Sequence, residues 1–251
     1  YEIYRCDWSS DVCSSDLLVE KPVTHNLENF RLLGELNNPN IMVGFNRRFY
    51  SSVQQLKSLL KTNSASSFLG IVPENSWNGN MDKKGRKNFL TQNTVHVFDL
   101  VRYLTNAKKI SIINHNLNSI FDQKSIDLFF VSDNCTGILH ITFNAPGSYR
   151  LEFSGDGFSH VLQPFEILRT YDSIDVIEPN EETPIRRYVP KLSSNAFELE
   201  KSDIDFKPGF LSQAKDFAAS VQGKKSSIAA NLEDAYESVK ISNEIATELE
   251  W

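Results

Sequence analysis

Lys21 has the clearest chemical potential in this chain of 251 residues. It stands in Leu18-Val19-Glu20-Lys21-Pro22, where an apolar run ends in a carboxylate, an ammonium and a proline. Proline cannot donate a ladder hydrogen bond and fixes its own φ, so the pattern predicts a strand that stops after the lysine and turns into a cleft. A lysine at such an exit is partly desolvated while its head still reaches a ligand. Burial lowers a lysine pKa towards a useful range, and Glu20 opposes that shift. The same residues also suit an ordinary strand end with two solvated charges.

The second chemical feature is a histidine on a buried helix. The segment from Gln92 to Leu104 is apolar nearly all round, yet Gln92, His96, Asp99 and Tyr103 fall on one stripe at helical spacing. A polar stripe on a buried helix must be hydrogen-bonded or face a cavity. An imidazole there can act as general base towards a hydroxyl. The alternative is a core histidine satisfied by Asp99 or a backbone carbonyl. Trp77 could stack on a sugar ring or pack its own loop. The basic run Lys83-Lys84-Gly85-Arg86-Lys87 could hold phosphates, or could be a solvated loop within a polar stretch from Asn75 to Asn88.

The elements that must position these residues follow from periodicity. A helix capped by Thr24 or Asn26 and running to about Leu36 leads to the apolar run Ile41 to Phe45, a buried strand parallel to the first. Strand, helix, strand makes one βαβ unit. Ser51 or Ser52 begins a helix with Val53, Leu56, Leu59 and Leu60 on one face, and Ser67 to Pro73 reads as a strand. From Lys108 to about Val189 short β-runs alternate with turns, among them Ile110–Ile113, Ile126–Val131, Gly137–Phe143 and Tyr149–Phe153. Two helices close the chain, the first over about Gly209 to Val221 and the second after Asn231, with Ala235, Val239 and Leu249 inward. The fold class is α/β plus α+β: one βαβ piece followed by a domain with a mainly antiparallel open sheet.

Residues 1–17 show neither hydrophobic periodicity nor a targeting pattern, and from Cys6 to Leu17 they resemble the frame translation of a sequencing-library adapter. On that reading the protein proper enters mid-chain near Leu18. Setting these residues aside removes one arginine and four acids and moves the net charge from −6 to −3. Such mild acidity offers no electrostatic footprint for nucleic acid. Only Cys135 of the three cysteines then remains, which excludes an internal disulfide framework and fits a reducing compartment, with the cytoplasm expected. No apolar run approaches the roughly 18 residues of a membrane span. His25, His115, His140 and His160 form no metal-ligand spacing, so no metal is assigned.

Glu20-Lys21-Pro22, then Val43-Gly44-Phe45-Asn46-Arg47-Arg48-Phe49, then His96-Val97-Phe98-Asp99-Leu100, followed by an antiparallel sheet, resembles the Gfo/Idh/MocA family of NAD(P)-dependent oxidoreductases. The resemblance runs from Leu18 to the C-terminal helix. It implies a Rossmann domain, of which 18–46 would be a C-terminal remnant, and a substrate domain over 47–251 whose open sheet often makes the oligomer interface. It implies hydride transfer between a sugar, polyol or nucleotide-sugar carbon and NAD or NADP. By that analogy Lys21 and His96 are catalytic, Glu20, Lys21, Pro22 and Arg48 lie near the cofactor, and Gln92, Asn93 and Trp77 meet substrate.

Two departures qualify the analogy. Many members carry Asp four residues before the histidine, where this chain has Gln92, and an amide cannot accept a proton as a carboxylate does. The Gly-rich turn that receives a pyrophosphate would lie before residue 18, and no G-x-G-x-x-G occurs in the sequence. The chain as it stands is therefore expected to bind dinucleotide poorly and to be inactive. Two other readings stay open: a relative using NAD transiently in glycoside cleavage, and a non-catalytic binding or oligomerisation protein, which Gln92 permits.

Overall fold

The computed structural model describes residues 16–35, 38, 40–75, 83–106, 111–115, 125–132, 135–194 and 197–248. Most of the stretch resembling an adapter, the Trp77 candidate, and Leu249 lie outside them. Among the described residues no helix is long and apolar enough to cross a membrane.

The chain opens with β1 (Leu17–Val19), α1 (Leu27–Glu35) and β2 (Ile41–Val43), and the two strands pair in parallel as expected, Leu17 opposite Ile41 and Val19 opposite Val43. Asn26 caps α1, its Oδ1 accepting from the Glu28 N–H at 3.0 Å. A 3₁₀ turn at Asn46–Phe49 carries both arginines into α2 (Ser51–Thr62) and then β3 (Ser67–Glu74). Next come α3 (Lys83–Phe89), a π-helical turn at Leu90–Thr94, and α4 (Val95–Thr105), which Asn106 ends in the left-handed conformation. The remaining strands are β4 (Ser111–His115), β5 (Ser125–Val131), β6 (Thr136–Phe143), β7 (Arg150–Gly155), β8 (Phe158–Leu162), β9 (Leu168–Ile177) and β10 (Arg187–Leu192). Helices α5 (Lys201–Asp205), α6 (Phe210–Val221) and α7 (Leu232–Glu248) follow.

Eight strands form one sheet in the order β10-β9-β8-β7-β3-β6-β5-β4, antiparallel throughout except for the parallel pair β3 and β6. One face is apolar and covered. Phe68, Val72, Ile126, Leu128, Phe130, Leu139, Ile141, Leu151 and Phe153 are buried in one core with Val53 and Leu56 of α2 and Val97, Phe98 and Leu100 of α4. Burying that much apolar surface is the main force holding helices to sheet. Gly137 makes the parallel pairing possible: a Cβ there would stand 2.4 Å from the Phe68 carbonyl oxygen on β3. The other face is open, with Leu69, Ile71, Phe129 and Ile138 exposed at 37–42%.

A second, smaller core joins the βαβ piece to the end of the chain. Phe30, Val43, Phe45 and Val95 pack with Ala230, Ala235 and Val239, and the Val43 N–H donates to the Ala230 carbonyl at 2.8 Å. Thus α7 packs on α1 as well as on α4, although the sequence division at residue 46 assigns it wholly to the second part.

The basic run expected in a polar loop is helical. Lys83 to Lys87 lie in α3, and Arg86 is buried. Lysine and arginine are good helix formers, and the single Gly85 does not outweigh them. The helix expected to begin near Thr91 is therefore the continuation of an earlier one through a π turn.

Candidate functional site

Lys21 follows the C-terminal end of β1, and Gly44-Phe45 follows that of the parallel strand β2. Ligands of open α/β sheets gather at such strand ends. The two exits touch: the Gly44 N–H donates to the Val19 carbonyl at 2.8 Å, and a Cβ on Gly44 would stand 3.3 Å from the Glu20 carboxylate. From there Lys21 Nζ donates to the Gln92 main-chain carbonyl. That carbonyl lies in the π turn, where the i→i−4 ladder is broken and carbonyls are open to other donors. The neighbouring Leu90 carbonyl is likewise taken by the Ser242 hydroxyl of α7, at 2.9 Å.

Burial, with the charge of Arg47 next in size, lowers the Lys21 pKa from 10.5 to about 8, against the opposing pull of Glu20 and Glu74. His96 stands one turn beyond Gln92, only 6% exposed, with its ring edge-on to Phe45 at 5.6 Å between centroids. Its Nδ1 is buried and has no hydrogen-bond partner among the described residues. Desolvation, then the charges of Arg47, Lys21 and Lys207, hold the imidazole well below its ordinary 6.5, so it is neutral at pH 7. A neutral imidazole beside an ammonium can take a proton from a hydroxyl whose oxygen the ammonium also contacts.

Asp99 is not the partner of His96. It receives Arg48 in a bidentate pair, Nε to Oδ2 at 2.9 Å and Nη2 to Oδ1 at 2.6 Å, with side-chain exposures of 5% and 2%. Arg48 reaches Asp234 as well, at 3.2 Å, and Arg102 stands 3.7 Å from the same carboxylate. This ion-pair network ties the 3₁₀ turn, α4 and the start of α7 together. The Arg48 guanidinium, expected near a cofactor, is thus engaged inside the protein. Tyr103, the last member of the stripe, accepts from the Gln54 amide at 3.0 Å.

The π turn also presents Asn93 and Thr94 to Glu74, the last residue of β3. Glu74 is fully buried, and its carboxylate receives the Thr94 hydroxyl at 2.6 Å, the Asn93 amide at 2.6 Å and the Tyr149 hydroxyl at 2.9 Å. A buried carboxylate needs such donors. Arg47 covers Tyr149, its guanidinium carbon 4.7 Å from the ring centroid, and lies 5.4 Å from that of Phe165. The Gln92 side chain is exposed and Asn93 partly so. Lys21, Gln92, Asn93 and His96 therefore come together, whereas Arg48 stands apart in its ion-pair network. Glu74, Tyr149 and Lys207 were not singled out by sequence. A carboxylate ending the alternating strand Ser67 to Pro73 was the available signal for Glu74; nothing local marks the other two.

Of the described residues at the strand ends, Lys21 and His96 are the ones that could hold a nicotinamide. For a diphosphate the described residues supply no glycine-rich turn. Cys135 is buried, with its thiol pushed up to about 11 by desolvation, as suits a structural role.

No protein-family model matches the sequence, and no curated protein matches it. Solved structures do match by shape. A dehydrogenase from Clostridium difficile aligns at a TM-score of 0.67 and 16% identity, covering 93% of this chain and 71% of that one. A UDP-N-acetylglucosamine 3-dehydrogenase from Acidithiobacillus ferrooxidans aligns at 0.67 and 12% identity, covering 94% and 71%. A levoglucosan dehydrogenase in complex with NADH aligns at 0.65 and 18% identity, covering 94% and 72%. The chain has the Gfo/Idh/MocA fold. That fold joins a Rossmann-type piece, β1-α1-β2, to an open, mainly antiparallel sheet, in keeping with the expected class.

Proposed function

We propose that this Gfo/Idh/MocA-fold chain is the substrate-handling part of an NAD(P)-dependent oxidoreductase acting on a hydroxyl carbon of a sugar, polyol or nucleotide-sugar. One observation carries the reading. Lys21, 75 positions before His96 in sequence, donates its ammonium to the carbonyl of Gln92, one helical turn before His96, and its charge helps hold the imidazole neutral. Three neighbours of the fold, described as dehydrogenases, one of them in complex with NADH, support it.

Bound nicotinamide would supply the two-electron acceptor. The chain's own residues would do the rest. His96 accepts the hydroxyl proton of the substrate, and the Lys21 ammonium, protonated at pH 7, donates to the same oxygen as negative charge develops there. The amides of Gln92 and Asn93 hold neighbouring hydroxyls, with Asn93 oriented by Glu74. Arg48, through Asp99, fixes the helix that carries His96 and acts as a positioning residue.

The open sheet face supports a homo-oligomer. Phe129, Ile138 and Leu69 stand side by side on β5, β6 and β3, all exposed, and a second copy of the chain would cover them. The division into a Rossmann part over 18–46 and a substrate part over 47–251 belongs to the same proposal.

Turnover tests the reading, with the protein joined to a dinucleotide-binding half that carries a glycine-rich turn. Net NADH or NADPH formation from polyols or sugars is the expected result. Sugar release from glycosides without net reduced cofactor would replace this reading with the glycosidase-type one.

A further inference from the structure

The Asn93 side chain of the π turn meets Glu74 and Tyr149, and the chemistry of those two decides which end of its amide faces them. Glu74 is fully buried and takes the Thr94 hydroxyl on Oε1 at 2.6 Å and the Tyr149 hydroxyl on Oε2 at 2.9 Å. A carboxylate only accepts, so whatever Asn93 presents to it must be a donor. Burial, with the charge of Glu74 next in size, raises the Tyr149 pKa, so the phenol keeps its proton and gives it to Glu74. The phenol oxygen is then left as an acceptor. Asn93 Nδ2 accordingly lies 2.6 Å from Glu74 Oε2 and 2.6 Å from Tyr149 Oη. Turned over, the amide would set its carbonyl oxygen against the buried carboxylate and strip Glu74 of a donor.

With Nδ2 engaged, Oδ1 is the polar side-chain atom that Asn93 has left, and no described residue donates to it. The side chain is only half-buried. Asn93 directly follows Gln92, whose carbonyl receives Lys21, and stands three residues before His96. Its partner Glu74 also acts on Lys21 by charge. We infer that Asn93 is a specificity-determining residue that meets the substrate as a hydrogen-bond acceptor, so that the substrate carries a donor, a free hydroxyl or an amide N–H, at the position facing it. An ether, a keto oxygen or a carboxylate there would set acceptor against acceptor, and Glu74 and Tyr149 keep the amide from turning to suit it. Those two residues act through Asn93 and are positioning residues. The inference deepens the oxidoreductase reading and rests on it for calling the ligand a substrate. The polarity of Asn93 stands without it.

Titration of the 251-residue protein with D-glucose and its monodeoxyfluoro analogues, fluorinated in turn at each hydroxyl-bearing carbon, tests it without any cofactor. Fluorine is close to a hydroxyl in size but cannot donate. At one carbon the fluoro sugar should bind about 5- to 10-fold more weakly than D-glucose, the ratio that one net hydrogen bond supplies. Asn93→Ala should remove that loss and leave the ratios at the other carbons unchanged. Glu74→Gln, which frees the Asn93 amide to turn, should shrink it while keeping Asn93 in place. A second measurement needs no ligand: by NMR, the side-chain amide protons of Asn93 should exchange with solvent about 10-fold or more slowly than those of exposed Gln92, and faster in Glu74→Gln. No loss at any carbon, a loss that survives Asn93→Ala, no binding of D-glucose, or Asn93 amide protons exchanging as fast as those of Gln92 would each overturn the proposal. Failure of the dehydrogenase reading would show differently, as the same fluorine pattern in a protein that never reduces NAD or NADP once joined to a dinucleotide-binding half.

Discussion

Replacing Asp99 with asparagine probes the frame that holds His96. The carboxylate makes two bonds to Arg48, at 2.6 and 2.9 Å, and both side chains are almost wholly out of solvent. Asparagine keeps the shape and one acceptor but removes the charge. Arg48 is then left with Asp234, whose side chain is 29% exposed, at 3.2 Å, and with the Ile228 carbonyl at 3.3 Å. Removing one partner of a buried pair costs about 3–5 kcal/mol because the remaining charge stays desolvated. The surviving Asp234 contact puts the expected loss at the lower end, about 3 kcal/mol, or a Tm lower by about 6–12 °C for a chain of this size. Urea unfolding followed by circular dichroism measures it. The paired change Arg48→Met with Asp99→Leu should be less destabilised than Asp99→Asn alone, since Asp234 keeps Arg102 at 3.7 Å. A loss below about 1 kcal/mol for Asp99→Asn would refute the claim that this pair is a buried, coupled element.

Four further outcomes follow from the structure. Lys21 should titrate near pH 8 by NMR of its side-chain nitrogen; since the folded protein then releases this proton more readily than the unfolded chain at 10.5, stability should rise from about pH 8 towards 10.5, with a smaller rise in Lys21→Met. Neutral His96 has the same sign: the unfolded chain gains a proton below about 6.5 that the folded one refuses, so stability should fall on acidification, and less so in His96→Gln. Ile138→Asp should shift sedimentation towards the monomer without unfolding the protein, because the side chain is 38% exposed on the open face. Gly209→Ala should destabilise by more than 1–2 kcal/mol in thermal unfolding, because φ there is +79° and the new Cβ would meet the Asn46 carbonyl oxygen at 2.2 Å.

Local patterns made much of this fold readable. The parallel pair β1 and β2 followed from two apolar runs flanking a capped helix, and α2, α6 and α7 from 3.6-residue periodicity. Pairings distant in sequence left no local trace. Nothing in Ser67 to Pro73 says that this strand sits at the centre of the large sheet, parallel to β6 and antiparallel to β7. The basic run was assigned to a loop on polarity alone, although its residues favour helix. At the site, the spacing of Gln92, His96, Asp99 and Tyr103 located the right helix. Ideal helical spacing, however, hid the π turn that lets two consecutive residues, Asn93 and Thr94, reach one carboxylate. Asp99 looked like the partner of His96 because both lie on one stripe; the actual partner, Arg48, is 51 residues earlier and enters from the 3₁₀ turn. Glu74 and Tyr149 join the site only through the sheet.

Cofactor reduction tests the central claim most directly. Joined to a dinucleotide-binding half with a glycine-rich turn, the protein should form NADH or NADPH from a sugar or polyol, followed at 340 nm. His96→Gln should lower kcat by about 10²- to 10⁴-fold, the usual contribution of a general base, and Lys21→Met should lower it too, with the fold of both variants intact by circular dichroism. Turnover unchanged in both variants would contradict the account.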